Sequence, residues 1–217
     1  MDLDAGVFIV CDGMGGVAGG EIASRLVADE VLAAYRASLP SPNGVLPILK
    51  TGIERANLDV FRLGGQDNSL HGMGTTIVVL ALSSTLASVA HVGDSRCYRL
   101  RSGVLEQLTH DHSFVAEQIA RGTMTTHEAA ISPMRNVITR AVGTALQVEA
   151  ELHEWAIESG DTYLLTTDGL TREISDQLIS QILSENYEPG LACDALVSAA
   201  NQSGGRDNIS CIVVRIA

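Results

Sequence analysis

The chain has 217 residues, of which 46% are hydrophobic, so it can form one domain with a sizeable core, which argues against a disordered regulator. Its formal net charge of −12 comes from 26 acidic and 14 basic residues and argues against nucleic acid as a partner, because phosphate backbones are bound by clustered positive charge. No run approaches the ~18 apolar residues of a membrane span, and the N-terminus lacks the features of a signal peptide. We therefore expect neither membrane insertion nor export.

Cysteine usage indicates a reducing, cytoplasmic location. The four cysteines form no C-x-x-C pair, and at least three of them lie in apolar runs that are typical of reduced core thiols. They are Cys11, Cys97, Cys193 and Cys211.

The N-terminal part of the chain predicts one strand followed by two helices. Val7–Cys11 is a short apolar run rich in β-branched and aromatic residues, which favours a buried strand that ends at Asp12. Apolar residues then recur at helical spacing over residues 18–37, and the segment SLPSPNG ends this helix. A second helix is predicted over residues 45–63.

The middle of the chain is rich in β-forming residues. The β-rich runs between residues 75 and 108 are separated by the turn-like sequences SST, GDS and RSG, which predicts an antiparallel meander. Residues 111–140 are more polar and partly helical, and we interpret them as an insertion over one end of the sheet. Residues 149–170 predict another hairpin, with its turn at Ser159–Asp161.

The C-terminal part predicts two helices and a last strand. The helices cover residues 175–184 and 191–203, and the strand covers Asn208–Ile216. Strands grouped in hairpins and helices grouped in pairs predict the α+β class, with packed sheets covered by helices. No repeat or linker divides the chain, so residues 1–217 are expected to form a single domain.

Four aspartates share one context, the end of a predicted strand. They are Asp12 in VFIVCDG, Asp94 in VAHVGDS, Asp168 in YLLTTDG and Asp207 in GGRDNIS. A single Asp-Gly or Asp-Ser pair is more often a turn former than a ligand. Four matched contexts favour convergence, since strand ends that are distant in sequence can meet at one edge of a sheet.

Converging carboxylates need something that offsets their repulsion. Two unit charges ~4 Å apart repel by about 4 kcal/mol at an effective dielectric constant near 20. Retained protons or divalent cations can offset this energy, and oxygen ligands without histidine or thiolate neighbours select Mg²⁺ or Mn²⁺. Two such ions can activate a water for attack on a phosphoryl group. The pattern therefore favours phosphoester hydrolysis.

The glycine-rich segment after Asp12, GMGGVAGG, has two interpretations. A backbone without Cβ can approach a metal centre closely, and a glycine carbonyl can itself be a ligand. GMGGVA also matches the dinucleotide fingerprint G-x-G-x-x-G/A, so a dinucleotide-binding protein stays a remote alternative. The acidic residue expected about 20 positions later should end a second strand. Asp29 and Glu30, however, lie inside the first predicted helix.

Other catalytic chemistry finds no support in the sequence. There is no G-x-S-x-G elbow, no H-E-x-x-H helix and no P-loop. The six histidines show no ligand spacing. His91 alternates within an apolar strand and is predicted to be a core residue, while the roles of His110 and His112 stay open.

Six segments are similar to the successive motifs of the metal-dependent type 2C protein serine/threonine phosphatases, bacterial branch: VFIVCDGMGGVAGGEIAS, GMGTTIVVLAL, ASVAHVGDSRCYRLRSG, LTHDHSFV, YLLTTDGLTREIS and GGRDNISCIVV. The likeness spans nearly the whole chain. It implies an αββα sandwich of two antiparallel sheets flanked by pairs of helices. It also implies hydrolysis of phosphoserine and phosphothreonine in proteins by a metal-activated water, without a phosphoenzyme.

The resemblance further implies a binuclear Mn²⁺ or Mg²⁺ centre. Asp12 would bridge both ions, and Gly13 would offer its carbonyl to one of them. Asp168 and Asp207 would hold the other ion. The three aspartates are therefore the predicted catalytic residues.

The resemblance also implies a third metal position and a mobile segment. Asp94 would serve a third, weaker ion together with Asp168, assisted by Ser132. The insertion at residues 111–140 would correspond to the mobile flap of the family, which influences substrate access.

The sequence departs from the family pattern at its start. Family members usually begin with a strand that carries a phosphate-binding arginine and an Asn-Glu-Asp-like stretch. Here eleven residues precede Asp12, and none is arginine or asparagine. The strand Val7–Cys11 is therefore expected to have an unpaired edge.

This departure leaves two interpretations open. The first, favoured by the intact aspartates, is a truncated form of an active phosphatase. The second is a phosphoprotein-binding regulatory domain with weakened catalysis. The leading prediction is a cytoplasmic protein serine/threonine phosphatase that acts on phosphorylated proteins, opposite a serine/threonine kinase, in bacterial signalling.

Overall fold

The computed structural model describes residues 1–39, 41 and 44–217, and for Val17 the backbone alone. The strands are β1 (Val7–Val10), β2 (Gly13–Met14), β3 (Gly74–Thr75), β4 (Ile77–Leu82), β5 (Leu86–Val92), β6 (Arg96–Arg101), β7 (Val104–Gln107), β8 (Glu151–Ala156), β9 (Thr162–Thr166) and β10 (Cys211–Arg215). The α-helices are α1 (Gly16–Ser38), α2 (Leu46–Gln66), α3 (Phe114–Ala120), α4 (Thr126–Ile131), α5 (Asp168–Thr171), α6 (Asp176–Glu185) and α7 (Pro189–Gln202). A short 3₁₀ helix covers Asn68–Leu70.

The strands form two large antiparallel sheets, each with helices on its outer face. The first sheet has the order β1, β4, β5, β8, and the second has the order β10, β9, β6, β7. Helices α1 and α2 cover the first sheet, and α6 and α7 cover the second. The layers are therefore helix, sheet, sheet and helix, which confirms the predicted αββα sandwich.

Burial patterns explain how these layers are held together. The buried apolar side chains of α1 recur every four positions and so lie on one face of the helix: Ala23, Val27, Val31 and Tyr35. A separate apolar layer between the two sheets contains Phe8, Leu80 and Tyr163. Each large apolar side chain buried there stabilises the fold by about 1.5–3 kcal/mol relative to an exposed one. This layer fixes the position of one sheet, and of its strand ends, relative to the other.

The predicted meander and the second predicted hairpin are each wrong at one turn, because the chain changes sheets there. β5 and β6, joined by Gly93–Ser95, lie in different sheets, and so do β8 and β9, joined across Ser159–Asp161. Gly93 permits the first crossing, since its φ is +107° and a Cβ there would lie 2.6 Å from Thr76 Cγ2. The sequence of a turn between two β-rich runs does not show whether the two strands pair in one sheet or pack face to face in different sheets.

Several smaller predictions can also be compared with the structure. Residues 111–140 lie between β7 and β8 and contain α3 and α4, as their partly helical character predicted. Helix α1 ends at Ser38, and residues 40, 42 and 43 of the segment predicted to end it lie outside the described residues. In the described part of the chain, β1 is an edge strand of the first sheet. No helix formed by the described residues has both the length and the apolar character needed to cross a membrane.

Candidate metal centre

The four strand-end aspartates lie together at one end of the sandwich. Asp12 follows β1 and Asp94 follows β5, both in the first sheet. Asp168 follows β9 and Asp207 precedes β10, both in the second sheet. Asp12 and Asp168 share a hydrogen bond, and the negative charges of Asp207 and Asp94 also act on Asp12. The structure thus brings together the four residues that the sequence singled out.

The carboxyl groups of this cluster hold protons more tightly than isolated carboxyl groups do. Burial raises the pKa of Asp12 to about 7, and the negative charge of Asp168 adds to the rise. Burial and the charge of Asp168 also raise the pKa of Asp94 to about 6, although Arg172 acts in the opposite direction. Burial raises the pKa of Asp168 itself. Such shifts indicate repulsion between the anionic forms, which a bound cation would relieve.

Two oxygens of the cluster are buried without a hydrogen-bond partner. They are Oδ1 of Asp94 and Oδ1 of Asp168. Leaving such an atom unsatisfied costs about 1–3 kcal/mol, so these atoms point to a missing positive partner. The cluster offers oxygen donors, which suit Mg²⁺ and Mn²⁺. The residues therefore fit the divalent ions that the sequence predicted.

Both Asp-Gly pairs of the centre need their glycine for close packing. A Cβ on Gly169 would lie 2.1 Å from the carbonyl oxygen of Asn208, so this glycine lets the turn after Asp168 pack against the segment that carries Asp207. A Cβ on Gly13 would lie 2.0 Å from the carbonyl oxygen of Gly20. The start of α1 can therefore pack against the loop that follows Asp12.

We expect Gly169→Ala to lower stability and weaken Mn²⁺ binding, because the new methyl group must push Asn208, and with it Asp207, away from Asp168. Overpacking of this kind costs about 1–3 kcal/mol of folding free energy. Urea denaturation and Mn²⁺ titration would measure the two effects. Gly190→Ala in α7 is the matched control, since nothing lies within 4 Å of its added Cβ. Equal stability and equal Mn²⁺ affinity of the two variants would show that the close approach of Gly169 to Asn208 is unimportant.

Two threonines that the sequence analysis gave no role hold the backbone of Asp12. The N–H of Asp12 donates to Thr76 Oγ1 at 3.0 Å, and Thr75 Oγ1 donates to the carbonyl oxygen of Asp12 at 2.8 Å. Thr76 Oγ1 also lies 2.7 Å from Ser95 Oγ, next to Asp94. The signal was present in the segment GMGTT, where two β-branched hydroxyl residues begin a strand.

A cleft of about 1440 Å³ opens between the aspartates and the segment 111–140. Asp94, Asp168 and Asp207 lie on one side of it, and residues of α3 and α4 line the other. Among the described residues, six arginines and seven carboxylate residues line the cleft. The arginines are Arg96, Arg121, Arg135, Arg140, Arg172 and Arg206. Two divalent cations would more than offset the excess of one negative charge and make the cleft attractive to phosphate.

Comparison with known proteins identifies the family. The family model for protein phosphatase 2C matches residues 2–202. Protein phosphatase PhpP of Streptococcus pneumoniae serotype 2 (strain D39 / NCTC 7466) is 37% identical over 209 residues, which cover 96% of this chain and 85% of PhpP. The chain belongs to the protein phosphatase 2C family.

Solved structures agree with this assignment. The serine/threonine phosphatase Stp1 from Staphylococcus aureus is 33% identical, with a TM-score of 0.92 and coverage of 97% of this chain and 84% of Stp1. The catalytic domain of the serine threonine protein phosphatase PstP, solved in complex with two manganese ions, is 33% identical. Its TM-score is 0.84, and the match covers 95% of this chain and 86% of that domain.

The predicted function, enzyme class and cofactor are confirmed by these matches. This protein phosphatase 2C is a bacterial-type protein serine/threonine phosphatase with Mn²⁺ or Mg²⁺ as its cofactor. The dinucleotide alternative finds no support, since Asp29 and Glu30 lie within α1 and not at the end of a strand.

Arg172 is a further residue of the phosphatase site that the sequence analysis did not single out. Its Nη2 atom lies 3.4 Å from Asp94 Oδ2 and also forms an ion pair with Asp168 Oδ2. The spacing of four residues from Asp168, in TTDGLTR, was the available signal, since residues i and i+4 are neighbours on a helix. Arg172 thus places positive charge between the two carboxylates that were predicted to share a third ion.

Ser132 lies in the segment 111–140 of the phosphatase and is buried. Its hydroxyl accepts a hydrogen bond of 3.1 Å from the N–H of Met134, within the same segment. The described contacts do not join Ser132 to the aspartates, and its assistance to a third ion stays a prediction.

Proposed function

We propose that two divalent ions bind at the aspartate cluster, with Asp12 between them, the carbonyl of Gly13 on one ion, and Asp168 and Asp207 on the other. The observation that carries this proposal is the convergence of the aspartates, two of them with buried oxygens that lack a partner, beside an arginine-lined cleft. When bound, the ions neutralise the carboxylates, polarise phosphoryl oxygens and make a water in the cleft more acidic. Phosphoserine and phosphothreonine side chains are the substrates.

The arginines of the cleft are suited to hold and orient the substrate phosphate, because guanidinium groups bind phosphate oxygens through paired N–H donors. Arg135 and Arg140 are the best placed for this role. They donate to the carbonyl oxygens of Ser132 and Glu149, at 3.3 and 3.0 Å. Neither forms an ion pair with a carboxylate in the described part of the chain. Arg140 Nη1 also lies 3.2 Å from His112 Nε2. The positive charge of both arginines is therefore not neutralised by a carboxylate and can act on a phosphate.

The segment 111–140 is proposed to act as a flap that controls access to the cleft. Its packing supports this role, since α3 has no buried residue and α4 has one, Ala129, among the described residues. Elements with so few buried contacts open at low free-energy cost. Closing of the segment over a bound phosphoprotein would exclude water from the reacting phosphate.

We assign to Asp94 and Asp168 a third ion position that is weaker than the other two. An ion there must displace Arg172, which forms ion pairs with both carboxylates. The competition between a guanidinium and a cation for the same oxygens lowers the apparent affinity for the cation.

In the cell, we propose that the phosphatase acts in the cytoplasm on phosphorylated proteins and opposes a serine/threonine kinase. The four cysteines support the location, since all four are free thiols and a reducing compartment keeps them so. The acidic surface supports protein substrates over nucleic acid.

The first test is hydrolysis of p-nitrophenyl phosphate and of a phosphothreonine peptide in EDTA, Mg²⁺ or Mn²⁺. We expect turnover of both substrates with Mn²⁺ or Mg²⁺, and a return to background when EDTA removes the ions. Excess Mn²⁺ added after EDTA should restore the rate. No turnover under any condition, together with retained binding of the phosphopeptide, would favour the alternative of a phosphoprotein-binding regulatory domain.

A further inference from the structure

A cluster of metal-binding side chains lies at the rim of the cleft, outside the aspartate centre. We call His110, Glu151 and His153 the rim cluster. Glu151 and His153 are two residues apart on β8 and therefore point to the same face of the sheet. Glu151 Oε2 lies 3.6 Å from His110 Nδ1 and 3.8 Å from His153 Nε2. All three ligand atoms lie within 4.8 Å of one another.

These separations are close to those of a bound transition metal. In a tetrahedral zinc site with bonds of ~2.0–2.1 Å, neighbouring donor atoms lie about 3.3 Å apart. The His110 side chain is 81% exposed, so it can rotate by the small amount needed. Two imidazoles and one carboxylate favour zinc and similar borderline ions, whereas Mg²⁺ prefers oxygen ligands alone.

Neighbouring residues hold the cluster in place. His112 Nδ1 accepts a hydrogen bond of 3.1 Å from the N–H of Gly93, so its Nε2 carries the proton. This Nε2 lies 3.4 Å from Glu151 Oε1, to which it can donate, and 3.2 Å from Arg140 Nη1, which is itself a donor. The contact with His112 thus orients Oε1 of Glu151 and leaves Oε2 for a metal. His91 Nε2 lies 2.9 Å from the carbonyl oxygen of His110 and donates to it. Because burial lowers the pKa of His91 to about 4, this ring stays neutral.

The same contacts exclude the deeper histidines as ligands. His91 and His112 face Glu151 with their Nε2 atoms, at 3.7 and 3.4 Å from its carboxylate oxygens. Both Nε2 atoms carry a proton, because His91 Nε2 donates to a carbonyl and His112 Nδ1 accepts from an N–H, so neither offers a lone pair to an ion beside Glu151. Their rings stack with centroids 4.8 Å apart. They therefore act as support for the rim cluster, whose residues are more exposed than they are.

We propose that the rim cluster binds one divalent transition metal of the zinc class through His110, Glu151 and His153, with a fourth position open to water. The site differs from the aspartate centre in ligand chemistry, so each can be loaded with its own ion. His110 and Glu151 line the same cleft as three of the aspartates, and an ion at the rim would add positive charge where the phosphoprotein enters. The proposal does not depend on the assignment of the aspartates.

The test uses the full chain with the aspartate centre kept saturated by excess Mg²⁺. Zinc is titrated by calorimetry, and Co²⁺ is titrated in parallel by its visible absorption, which reports nitrogen ligands and tetrahedral geometry. We expect one zinc ion per chain beyond the Mg²⁺ background. His110→Ala and His153→Ala should each weaken zinc binding by at least about tenfold, as loss of supporting residues alone does in known sites.

Matched controls separate this site from general histidine binding and from the aspartates. His71→Ala and His127→Ala remove exposed histidines elsewhere and should leave the zinc affinity unchanged, as should Asp168→Asn. Circular dichroism would verify that each variant is folded. The proposal would be overturned if the unmodified chain bound no zinc or if both rim variants bound zinc as tightly as the unmodified chain. An equal loss of zinc binding in His127→Ala would overturn it as well.

Discussion

Replacing Asp168 by alanine is expected to lower kcat/KM for a phosphothreonine peptide in Mn²⁺ by at least about 100-fold, since loss of a supporting residue alone can cost 10–100-fold at a metal site. Asp168 is the carboxylate through which the cluster is connected. It shares a hydrogen bond with Asp12, its charge acts on Asp94, and it holds one unpartnered buried oxygen. Its removal takes a ligand from the proposed centre and leaves Arg172 with a single acidic partner.

The measurement is steady-state hydrolysis across a range of Mn²⁺ concentrations. Asp194→Ala, which removes an exposed aspartate from α7, should keep the activity of the unmodified phosphatase. An Asp168→Ala variant that turns over at a normal rate with a normal Mn²⁺ requirement would exclude Asp168 as a ligand.

The largest expected loss of stability follows from Asp161→Ala, at about 3–5 kcal/mol, the usual range when one partner of a buried ion pair is removed. Asp161 lies at the second sheet crossing and its side chain is fully buried. Arg101 donates to its two carboxylate oxygens at 2.7 and 2.6 Å. The N–H of Glu158 donates to it as well, at 3.0 Å. The alanine variant leaves Arg101 without this buried partner.

The pH dependence of this effect has a definite sign. Burial alone would raise the pKa of Asp161, but hydrogen bonds from Arg101 and from the N–H of Glu158 outweigh it and lower the pKa below 3.8. A lowered pKa means that Asp161 contributes its full stability above pH 3.8 and loses it as the pH falls through the lower folded-state value. The difference in free energy of unfolding between the unmodified protein and Asp161→Ala should therefore become smaller below about pH 4.

Urea denaturation at several pH values measures both quantities. Glu158→Ala removes the other carboxylate that pairs with Arg101. The Glu158 side chain is 63% exposed. We expect this control to change the free energy of unfolding by less than about 1 kcal/mol, as for other surface pairs. If the two variants lost equal stability, the buried Arg101–Asp161 pair would not be what holds the crossing.

The sequence predicted the elements and the aspartates well because both depend on local patterns. The buried face of α1, for example, is visible in the sequence as a repeat of apolar residues, and each aspartate follows or precedes a β-rich run. Sheet membership could not be read in the same way. The turn GDS is locally compatible with a hairpin, and only the packing of β5 and β6 in separate layers makes it a crossing.

Residues that are brought together by the register of distant strands were also missed. The six histidines show no ligand spacing in sequence, yet the pairing of His91 with Glu151 across β5 and β8 assembles four of them around one carboxylate. His91 is buried, as predicted for a core residue. Arg172 was missed for a different reason. An arginine after an Asp-Gly turn does not by itself indicate a functional site, and its role becomes visible only when Asp94 is known to lie beside it.

The two sheets contribute separately to the aspartate cluster, with Asp12 on the first and Asp168 and Asp207 on the second. An ion held by carboxylates from both sides is therefore a reversible cross-link between the layers. The chain itself also joins the layers at both ends, through the crossing at Gly93–Ser95 beside Asp94 and through the crossing at Ser159–Asp161 at the opposite end. The divalent-ion concentration would then set how firmly the end of β1 is held to the start of β10, away from the crossing at Gly93–Ser95, and hydrogen exchange at these two strand ends would report that cohesion directly.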